Sequence, residues 1–168
     1  MKKIFVIGLG GRVEQANIEV HDVQVVVAEA MEDTYDVLMK NWYGDTLHLD
    51  EYKVLEGADG YRFELSDQPQ ETTLKLFFVN MGGYDTNHFG ELHRFSFYVT
   101  ETENEAKAKS HEKLLPNTFQ KHVDNIHEVK NNLKFADGNE CFIHFIPSVE
   151  NFDMKPDWSG YKKLRSNI

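Results

Sequence analysis

The amino-acid sequence predicts an α+β fold in which one β-β-α-β-β unit occurs twice in tandem. The first observation is that residues 4–21 align with residues 76–93 without a gap. The identical pairs in this alignment are Phe5/Phe77, Gly10/Gly82, Gly11/Gly83, Glu19/Glu91 and His21/His93. The second is that each copy continues with period-two alternation, a helical pattern and an Asp-Gly turn, at Asp59 and at Asp137. We therefore expect two units that pack with pseudo-twofold symmetry through a mainly antiparallel sheet.

The repeat divides the chain into four segments. Residues 1–66 form the first unit, 67–73 a linker, 74–147 the second unit and 148–168 a C-terminal tail. The linker is polar and contains Pro69, which is typical of a connection between units. The tail has no counterpart in either unit, and its aromatic residues are Phe152, Trp158 and Tyr161. We expect these side chains to cover an exposed sheet edge rather than to bind a ligand.

The glycines near the start of each unit resemble part of a dinucleotide-binding motif but do not complete it. The apolar run Ile4–Leu9 predicts a buried strand, and Gly8 and Gly10 have the first spacing of that motif. Val13 replaces its third glycine, and a strand rather than a helix is predicted for Glu19–Val27. Glycines are instead predicted to allow a sharp turn or a close approach of backbone. These structural glycines are Gly10, Gly11, Gly82 and Gly83.

One helix is predicted in each unit. In the first, the pattern predicts a helix from about Glu32 to Tyr43, followed by Gly44 as a stop signal. Its apolar residues at helical spacing are Tyr35, Leu38, Met39 and Trp42. This spacing indicates core packing rather than a binding site. In the second, Thr102 and Glu105 have the spacing of a capping box at a helix start.

Composition excludes several classes of protein. The 168 residues carry a formal charge of -10, which disfavours a nucleic-acid partner because phosphate backbones are negatively charged. The apolar run near the N-terminus is too short for a membrane span or a signal peptide. With Cys141 as its single cysteine, the chain forms no internal disulfide, and a cytoplasmic location is predicted. The sequence leaves a small-molecule partner, a protein partner and a homo-oligomer open.

Each unit carries a Glu-x-His pair and a His-x-Asp pair on predicted strands. Residues two apart on a strand project from the same face, so the two members of each pair are aligned. The candidate ligand-binding and metal-ligating residues are Glu19, His21, His48, Asp50, Glu91, His93, His122 and Asp124. Two imidazoles and two carboxylates per unit suit a divalent metal such as zinc, manganese or iron. A divalent metal is therefore the candidate cofactor, and its identity stays open.

Three interpretations of these pairs remain. They form a buried polar network that fixes strand register, or a small ligand or metal site, or an acid–base pair for catalysis. Because both units keep all four residues, we favour a non-catalytic binding or structural module. The alternative is a metal-assisted or His/carboxylate acid–base enzyme, a hydrolase or isomerase acting on a small polar substrate. No residue is assigned a catalytic role.

The loop between the glycine pair and Glu-x-His differs between the units. It reads RVEQANI in the first unit and YDTNHFG in the second. Polar and aromatic side chains on loops often line ligand sites. Tyr84, Asn87 and His88 are therefore additional ligand-binding candidates.

These motifs support a resemblance to a known family. With LFFVNMGGYDTNHFGELH, NIEVHDVQVVV, HLDEYKV and HVDNIHEV in this order, the chain resembles a bacterial family of uncharacterised proteins, domain of unknown function 1543. The resemblance covers about Lys3 to Val129. It implies a soluble bacterial protein built from one or two copies of such a unit, with no established activity and no assigned catalytic residues.

Overall fold

The computed structural model describes residues 1–164. Within these residues the fold is α+β, as predicted, with eleven strands in three mainly antiparallel sheets and two short α-helices. No helix among them is long and apolar enough to cross a lipid bilayer.

In each half of the chain, long strands flank one helix. The first half contains β1 (Lys3–Gly11), β2 (Val20–Ala28), α1 (Tyr35–Asn41), β3 (His48–Val54), β4 (Gly57–Ala58) and β5 (Tyr61–Ser66). The second half contains β6 (Lys75–Tyr84), β7 (Leu92–Thr100), α2 (Glu103–Lys113), β8 (Phe119–Glu128), β9 (Lys134–Phe135) and β10 (Phe142–Pro147). The remaining elements are β11 (Trp158–Lys163) and the 3-10 helices Met31–Thr34 and Val129–Asn131.

The strand that carries the glycine pair lies between two partners in each of two sheets. The first sheet has the order β11-β3-β1-β2-β9, the second β7-β6-β8 and the third β10-β5-β4. β1 is antiparallel to both β2 and β3, and β6 is antiparallel to both β7 and β8. Residues of β1 and β6 are therefore flanked on both sides by residues of their own half.

Three hydrophobic clusters stabilise this arrangement. A joint core contains buried side chains from all three sheets, including Val27, Phe97 and Phe145. α1 covers the other face of the first sheet through the fully buried Leu38, and α2 covers the other face of the second through Ala106. Both faces of each large sheet are thus buried over much of their length.

Strand pairing and hairpins join the two halves. β5 of the first half pairs antiparallel with β10 of the second. β9 pairs in parallel with β2, and Ala136 N then donates to Val27 O at 2.9 Å. In the opposite direction, Asp59 of the first half accepts a hydrogen bond from Val99 N at 3.3 Å and forms an ion pair with Lys109 of α2. The halves therefore share backbone bonds as well as a core.

α1 is shorter than the sequence predicts. The stretch from Glu32 to Tyr43 begins within a 3-10 helix, and α1 ends at Asn41. Trp42 is extended, with ψ of 139°. The chain leaves the helix there because the next segment is held by a hydrogen bond from Asp45 N to Arg12 O at 2.7 Å. The predicted apolar stripe packs in the core of the first sheet.

The capping box predicted for the second helix is confirmed. Thr102 Oγ1 accepts from Glu105 N at 3.3 Å, and Glu105 Oε2 accepts from Thr102 N at 3.1 Å. These bonds satisfy backbone donors at the start of α2 and fix its first turn.

The C-terminal segment extends the first sheet. β11 pairs antiparallel with β3, and Trp158 stacks on Tyr52 with ring centroids 6.2 Å apart. The predicted edge-covering role of the tail aromatics thus matches the position of Trp158. Phe152 lies against Gly57 instead, where a Cβ would come 2.6 Å from its ring.

The glycine pairs lie inside β1 and β6, so the alternative of a sharp turn is wrong. A Cβ on Gly11 would overlap the carbonyl oxygen of Thr46, and one on Gly83 would lie 2.7 Å from Thr118 Oγ1. Real Cβ atoms do not approach other atoms this closely. The second glycine of each pair therefore allows a close approach, the other expectation from the sequence.

Candidate functional site

Each first glycine of a pair lies between two histidines on neighbouring strands. The aligned rows are His21, Gly10 and His48 across β2, β1 and β3, and His93, Gly82 and His122 across β7, β6 and β8. Since a glycine has no side chain, both imidazoles of a row can lean over it. The carboxylates two residues along the chain from these histidines complete a cluster in each half.

In the second half, the four polar side chains converge. We call this the second cluster, and it comprises Glu91, His93, His122 and Asp124. His122 Nε2 lies 2.9 Å from Glu91 Oε1 and 3.0 Å from Asp124 Oδ1. His93 Nε2 lies 3.3 Å from Glu91 Oε2 and 3.3 Å from Asp124 Oδ2. Each carboxylate therefore bridges both imidazoles, and about half of each imidazole is exposed to solvent.

The ring of His122 is oriented by the backbone. Its Nδ1 lies 3.0 Å from Gln120 O, so an Nδ1–H donates to this carbonyl. In a neutral imidazole the other nitrogen then carries a lone pair, and here that nitrogen faces two carboxylates. The hydrogen bond to Gln120, together with the charges of Asp124 and Glu91, raises the pKa of His122 above its usual value. The cluster therefore favours a positive charge at its centre, carried by a proton or by a cation.

A buried acceptor lies in this cluster without a hydrogen bond. Glu91 Oε1 is inaccessible to solvent and accepts no hydrogen bond, although His122 Nε2 is 2.9 Å away. A buried carboxylate oxygen without a donor is unfavourable by about 1–3 kcal/mol or more. A cation between Glu91, His122 and Asp124 would remove this cost.

The spacing of the ligand atoms suits a metal ion. Four ligands at the usual zinc distances of about 2.0–2.1 Å in a tetrahedron are roughly 3.3 Å apart. His122 Nε2 lies 2.9 Å from Glu91 Oε1 and 3.0 Å from Asp124 Oδ1, close to this spacing. The 3.3 Å separations of His93 Nε2 are to the other oxygen of each carboxylate. Glu91, His122 and Asp124 each offer one ligand atom within 4.8 Å of the others.

Gly82 leaves the space in which these atoms meet. A Cβ on Gly82 would lie 2.6 Å from Glu91 Oε1 and 2.9 Å from both Asp124 Oδ2 and His122 Nε2. Any side chain at this position would displace the three groups. Gly82 is therefore required by the geometry of the cluster as well as being part of β6.

In the first half, the same residue types are arranged differently. We call this the first cluster, and it comprises Glu19, His21, His48 and Asp50. His48 Nε2 is hydrogen bonded to Glu19 Oε2 at 3.1 Å, and His48 Nδ1 lies 2.7 Å from Asp50 Oδ1. His21 Nε2 lies 3.6 Å from Asp50 Oδ2. The imidazole of His48 therefore lies between two carboxylates instead of directing one nitrogen at both.

Comparison with known proteins places the first cluster in a family segment. Residues 16–65 match the model of the family described as Domain of Unknown Function (DUF1543). The resemblance inferred from the sequence is confirmed for this segment, which is shorter than the stretch to Val129 that the motifs indicated. No curated protein matches the chain. The structure is similar to the crystal structure of a protein Il1583 from Idiomarina loihiensis, with 27% identity, a TM-score of 0.71 and 99% of each chain covered.

Within the DUF1543 segment, only one candidate is buried. His48 is 3% exposed, whereas Glu19, His21 and Asp50 are partly or largely accessible. The side chains of the second cluster are partly accessible as well. The clusters lie at the glycine ends of β1 and β6, and none of their residues belongs to the joint core.

Of the loop candidates beyond the DUF1543 segment, Tyr84 lies next to the second cluster. Its ring stacks on His122 with centroids 6.3 Å apart, and the charge of Glu91, followed by burial, raises the pKa of the phenol. Asn87 bonds Asp85 within the loop at 2.8 Å and 3.2 Å, and His88 is exposed there. The described contacts do not bring Asn87 or His88 into the cluster.

Three further residues contact the clusters and escaped the sequence argument. Gln120 orients His122, Asn80 donates to Asp124 Oδ2 at 3.4 Å, and the ring of Tyr161 lies 4.3 Å from that of His48. Asn80 was visible in the sequence as the residue that aligns with Gly8. Gln120 has φ of 50°, a left-handed conformation that its sequence does not signal.

Proposed function

We propose that the chain is a metal-binding module and that the second cluster holds one divalent ion. The ligands would be His93, His122, Glu91 and Asp124. The observation that carries the proposal is that His122 Nε2 lies 2.9 Å from Glu91 Oε1, a buried oxygen without a hydrogen bond, and 3.0 Å from Asp124 Oδ1. His93 Nε2 lies 3.3 Å from the other oxygen of each carboxylate and would complete the ligand set. A polar network without an ion would instead place a proton between each nitrogen and its nearest oxygen.

The types of ligand atom in the second cluster indicate which divalent ions it would bind. Two imidazoles with two carboxylates suit zinc, manganese and iron, which accept mixed nitrogen and oxygen ligands. The bond from His122 Nδ1 to Gln120 O is the outer contact that usually orients a ligating histidine. Asn80 supports Asp124 in the same way at 3.4 Å. These supporting bonds favour an ion over a set of side chains that meet by chance.

We also propose that the module arose by internal duplication. The units would be residues 1–66 and 74–147, joined by 67–73, with 148–168 as an added tail. β1 and β6 each lie between two antiparallel partners in their sheets, which supports the proposal. So do the matching rows of aligned residues, His21–Gly10–His48 and His93–Gly82–His122. A pseudo-twofold relation between the units would follow from it.

The test of the metal proposal is metal uptake by the wild-type chain and by single-ligand variants. Protein purified without chelator is analysed for bound metal, stripped with EDTA and titrated with Zn²⁺ and Mn²⁺. We expect His93→Ala and Asp124→Asn each to lose one equivalent of bound ion, and Gly82→Ala to bind at least about tenfold more weakly. His88→Ala is the matched control, because it removes an exposed histidine of the adjacent loop.

Circular dichroism establishes that each variant is folded before it is titrated. Wild-type metal content and affinity in both His93→Ala and Asp124→Asn would contradict the proposal. Equal losses in His88→Ala would do so as well, because binding would then not depend on the cluster.

A further inference from the structure

The first cluster contains a buried nitrogen without a partner. His48 is 3% exposed, and its Nδ1 is inaccessible to solvent and makes no hydrogen bond. Asp50 Oδ1 lies only 2.7 Å from this nitrogen, but in a direction that does not give a hydrogen bond. Such a short contact between an imidazole nitrogen and a carboxylate oxygen is unfavourable unless a proton or a cation bridges the two atoms.

The proton on His48 Nε2 explains why Nδ1 makes no hydrogen bond. His48 Nε2 has hydrogen-bond geometry to Glu19 Oε2 at 3.1 Å. A carboxylate accepts and an imidazole N–H donates, so the proton of a neutral ring lies on Nε2. The lone pair then lies on Nδ1, the nitrogen that is 2.7 Å from Asp50 Oδ1. Glu19 thus has the place of the carboxylate that commonly orients a metal-bound histidine from outside.

We propose that the first cluster binds a second divalent ion, through His48 Nδ1, Asp50 and His21. This site differs from the second cluster in its ligand atoms, since His48 would bind through Nδ1 whereas His122 would bind through Nε2. It also differs in composition, with one ligating carboxylate and with Glu19 as the orienting group. The chain would then hold two ions in two unlike environments.

The distances fit an ion that accepts close ligands. Two ligands at about 2.1 Å that meet at a right angle are roughly 3.0 Å apart, near the 2.7 Å between His48 Nδ1 and Asp50 Oδ1. His21 Nε2 is 3.6 Å from Asp50 Oδ2, and its side chain is 64% exposed, so it can rotate toward the ion. Mn²⁺ and Fe²⁺ accept such six-coordinate mixed sites, with water at the remaining positions.

The surroundings keep the site small. Gly10 lies beneath it, and a Cβ there would come 2.9 Å from Asp50 Oδ2 and from His48 Nε2. On the side of the sheet edge, the ring of Tyr161 lies 4.3 Å from that of His48. Gly10 and Tyr161 therefore enclose the ring of His48 from two sides.

The experiment separates the two sites by stoichiometry. EDTA-stripped wild-type chain and two double variants are titrated with Mn²⁺ and Zn²⁺. His93→Ala/His122→Ala disables the second cluster, and His21→Ala/Asp50→Asn disables the first. We expect two equivalents for the wild type and one for each double variant. Nitrogen-15 chemical shifts of the histidines should show Zn²⁺ at Nδ1 of His48 in the first of these variants.

The outcomes distinguish this inference from the proposed function. If His93→Ala/His122→Ala binds no ion while the wild type binds one, the first cluster is a metal-free network and the inference is overturned. If instead only His21→Ala/Asp50→Asn loses binding, the inference stands and the proposal for the second cluster fails. Where a double variant does not fold, Asp124→Asn or His21→Ala alone replaces it, with the same expected loss of one equivalent.

Discussion

At each cluster, a glycine between two histidines allows their side chains to approach each other. Gly10 and Gly82 each lie between two histidines of adjacent strands, and the atoms around them leave no room for a Cβ. The histidine rings beside these glycines nevertheless adopt two different orientations. His122 turns Nδ1 to a carbonyl, whereas His48 turns Nδ1 to a carboxylate. Histidines at the same register position in the two halves therefore differ in which ring nitrogen faces a carboxylate, because their neighbours differ.

His127 lies outside both clusters and is a residue through which stability depends on pH. Its ring stacks on Phe78 with centroids 5.1 Å apart, and burial, followed by the positive charge of Lys134, lowers its pKa. The pKa of Lys134 is itself lowered by burial, and Asp22 opposes that effect. The folded chain therefore favours the neutral form of His127 more than the unfolded chain does.

We expect acid to destabilise the fold through His127. Because its pKa is lower in the folded chain, the unfolded chain takes up the proton first. The contribution of the neutral ring is complete above the unfolded pKa of about 6.5 and is lost as the pH falls below it. His127→Phe keeps the stacking and removes the titration. Urea unfolding from about pH 8 to about pH 5 should show a smaller loss of free energy for the variant than for the wild type. Identical pH profiles would contradict this.

At this scale the sequence predicts which residue types meet better than it predicts their pairing and orientation. Strand periodicity places His48 and Asp50 on one face, and they lie 2.7 Å apart. Glu19 precedes β2 and is hydrogen bonded to His48 rather than to His21, with which the sequence aligned it. The orientation of the His122 ring depends on Gln120 at φ of 50°. The burial of His48 depends on packing with distant parts of the chain, such as Tyr161 on β11. Neither effect has a local signal, so the sequence could not separate a network from a metal site.

Among the elements, the β4–β5 hairpin does more than connect two strands. Asp59 at its turn has a nearly buried side chain that accepts from Val99 N and forms ion pairs with Lys109 and Lys113 of α2. Its backbone has φ of 52°, which the Asp-Gly motif predicted as a turn. The motif predicts the local conformation, but the docking onto α2 depends on how the two halves meet.

We expect Asp59→Ala to destabilise the chain by about 2 kcal/mol, because it leaves Val99 N without an acceptor, removes both ion pairs and strains a left-handed residue. Asp59→Asn is the matched control. Asparagine tolerates positive φ and keeps an acceptor for Val99 N. This variant should therefore lose only the contribution of the two ion pairs to the free energy of unfolding. Unfolding in urea measures both. Equal stability of the alanine variant and the wild type would show that the hairpin does not hold α2.

Other elements show where local patterns give way to tertiary contacts. The capping box at Thr102 predicts the start of α2 because it is a short-range exchange of hydrogen bonds. The end of α1 is set by the bond between Asp45 N and Arg12 O, between residues far apart in sequence. β11 has no repeat partner and no strong alternation, and it becomes a strand because β3 offers a free edge.

For the whole molecule, the central question is whether two similar halves fold separately. The joint core draws buried side chains from both halves, and β5 pairs with β10 across them. A half on its own would expose this core. The sequence predicted two units that pack through a sheet, but not that two pairs of strands, β5 with β10 and β2 with β9, would join them.

We expect the chain to unfold in one cooperative step, and Phe145 offers a way to test this. It is a buried second-half residue of the joint core, 8% exposed, and Phe145→Ala should cost about 3 kcal/mol. Both tryptophans, Trp42 and Trp158, pack in the core of the first sheet, so fluorescence reports on the first half. Far-ultraviolet circular dichroism reports on the whole chain.

If the halves are coupled, Phe145→Ala lowers the fluorescence midpoint in urea by the same amount as the midpoint by circular dichroism. Phe142→Ala is the matched control, since Phe142 lies on the same strand but is 47% exposed and should cost less than about 1 kcal/mol. A fluorescence midpoint that stays at the wild-type value while the circular dichroism midpoint falls would mean that the first half folds alone. The clusters could then be studied in isolated halves, whereas a shared shift means that each cluster depends on a core built by both.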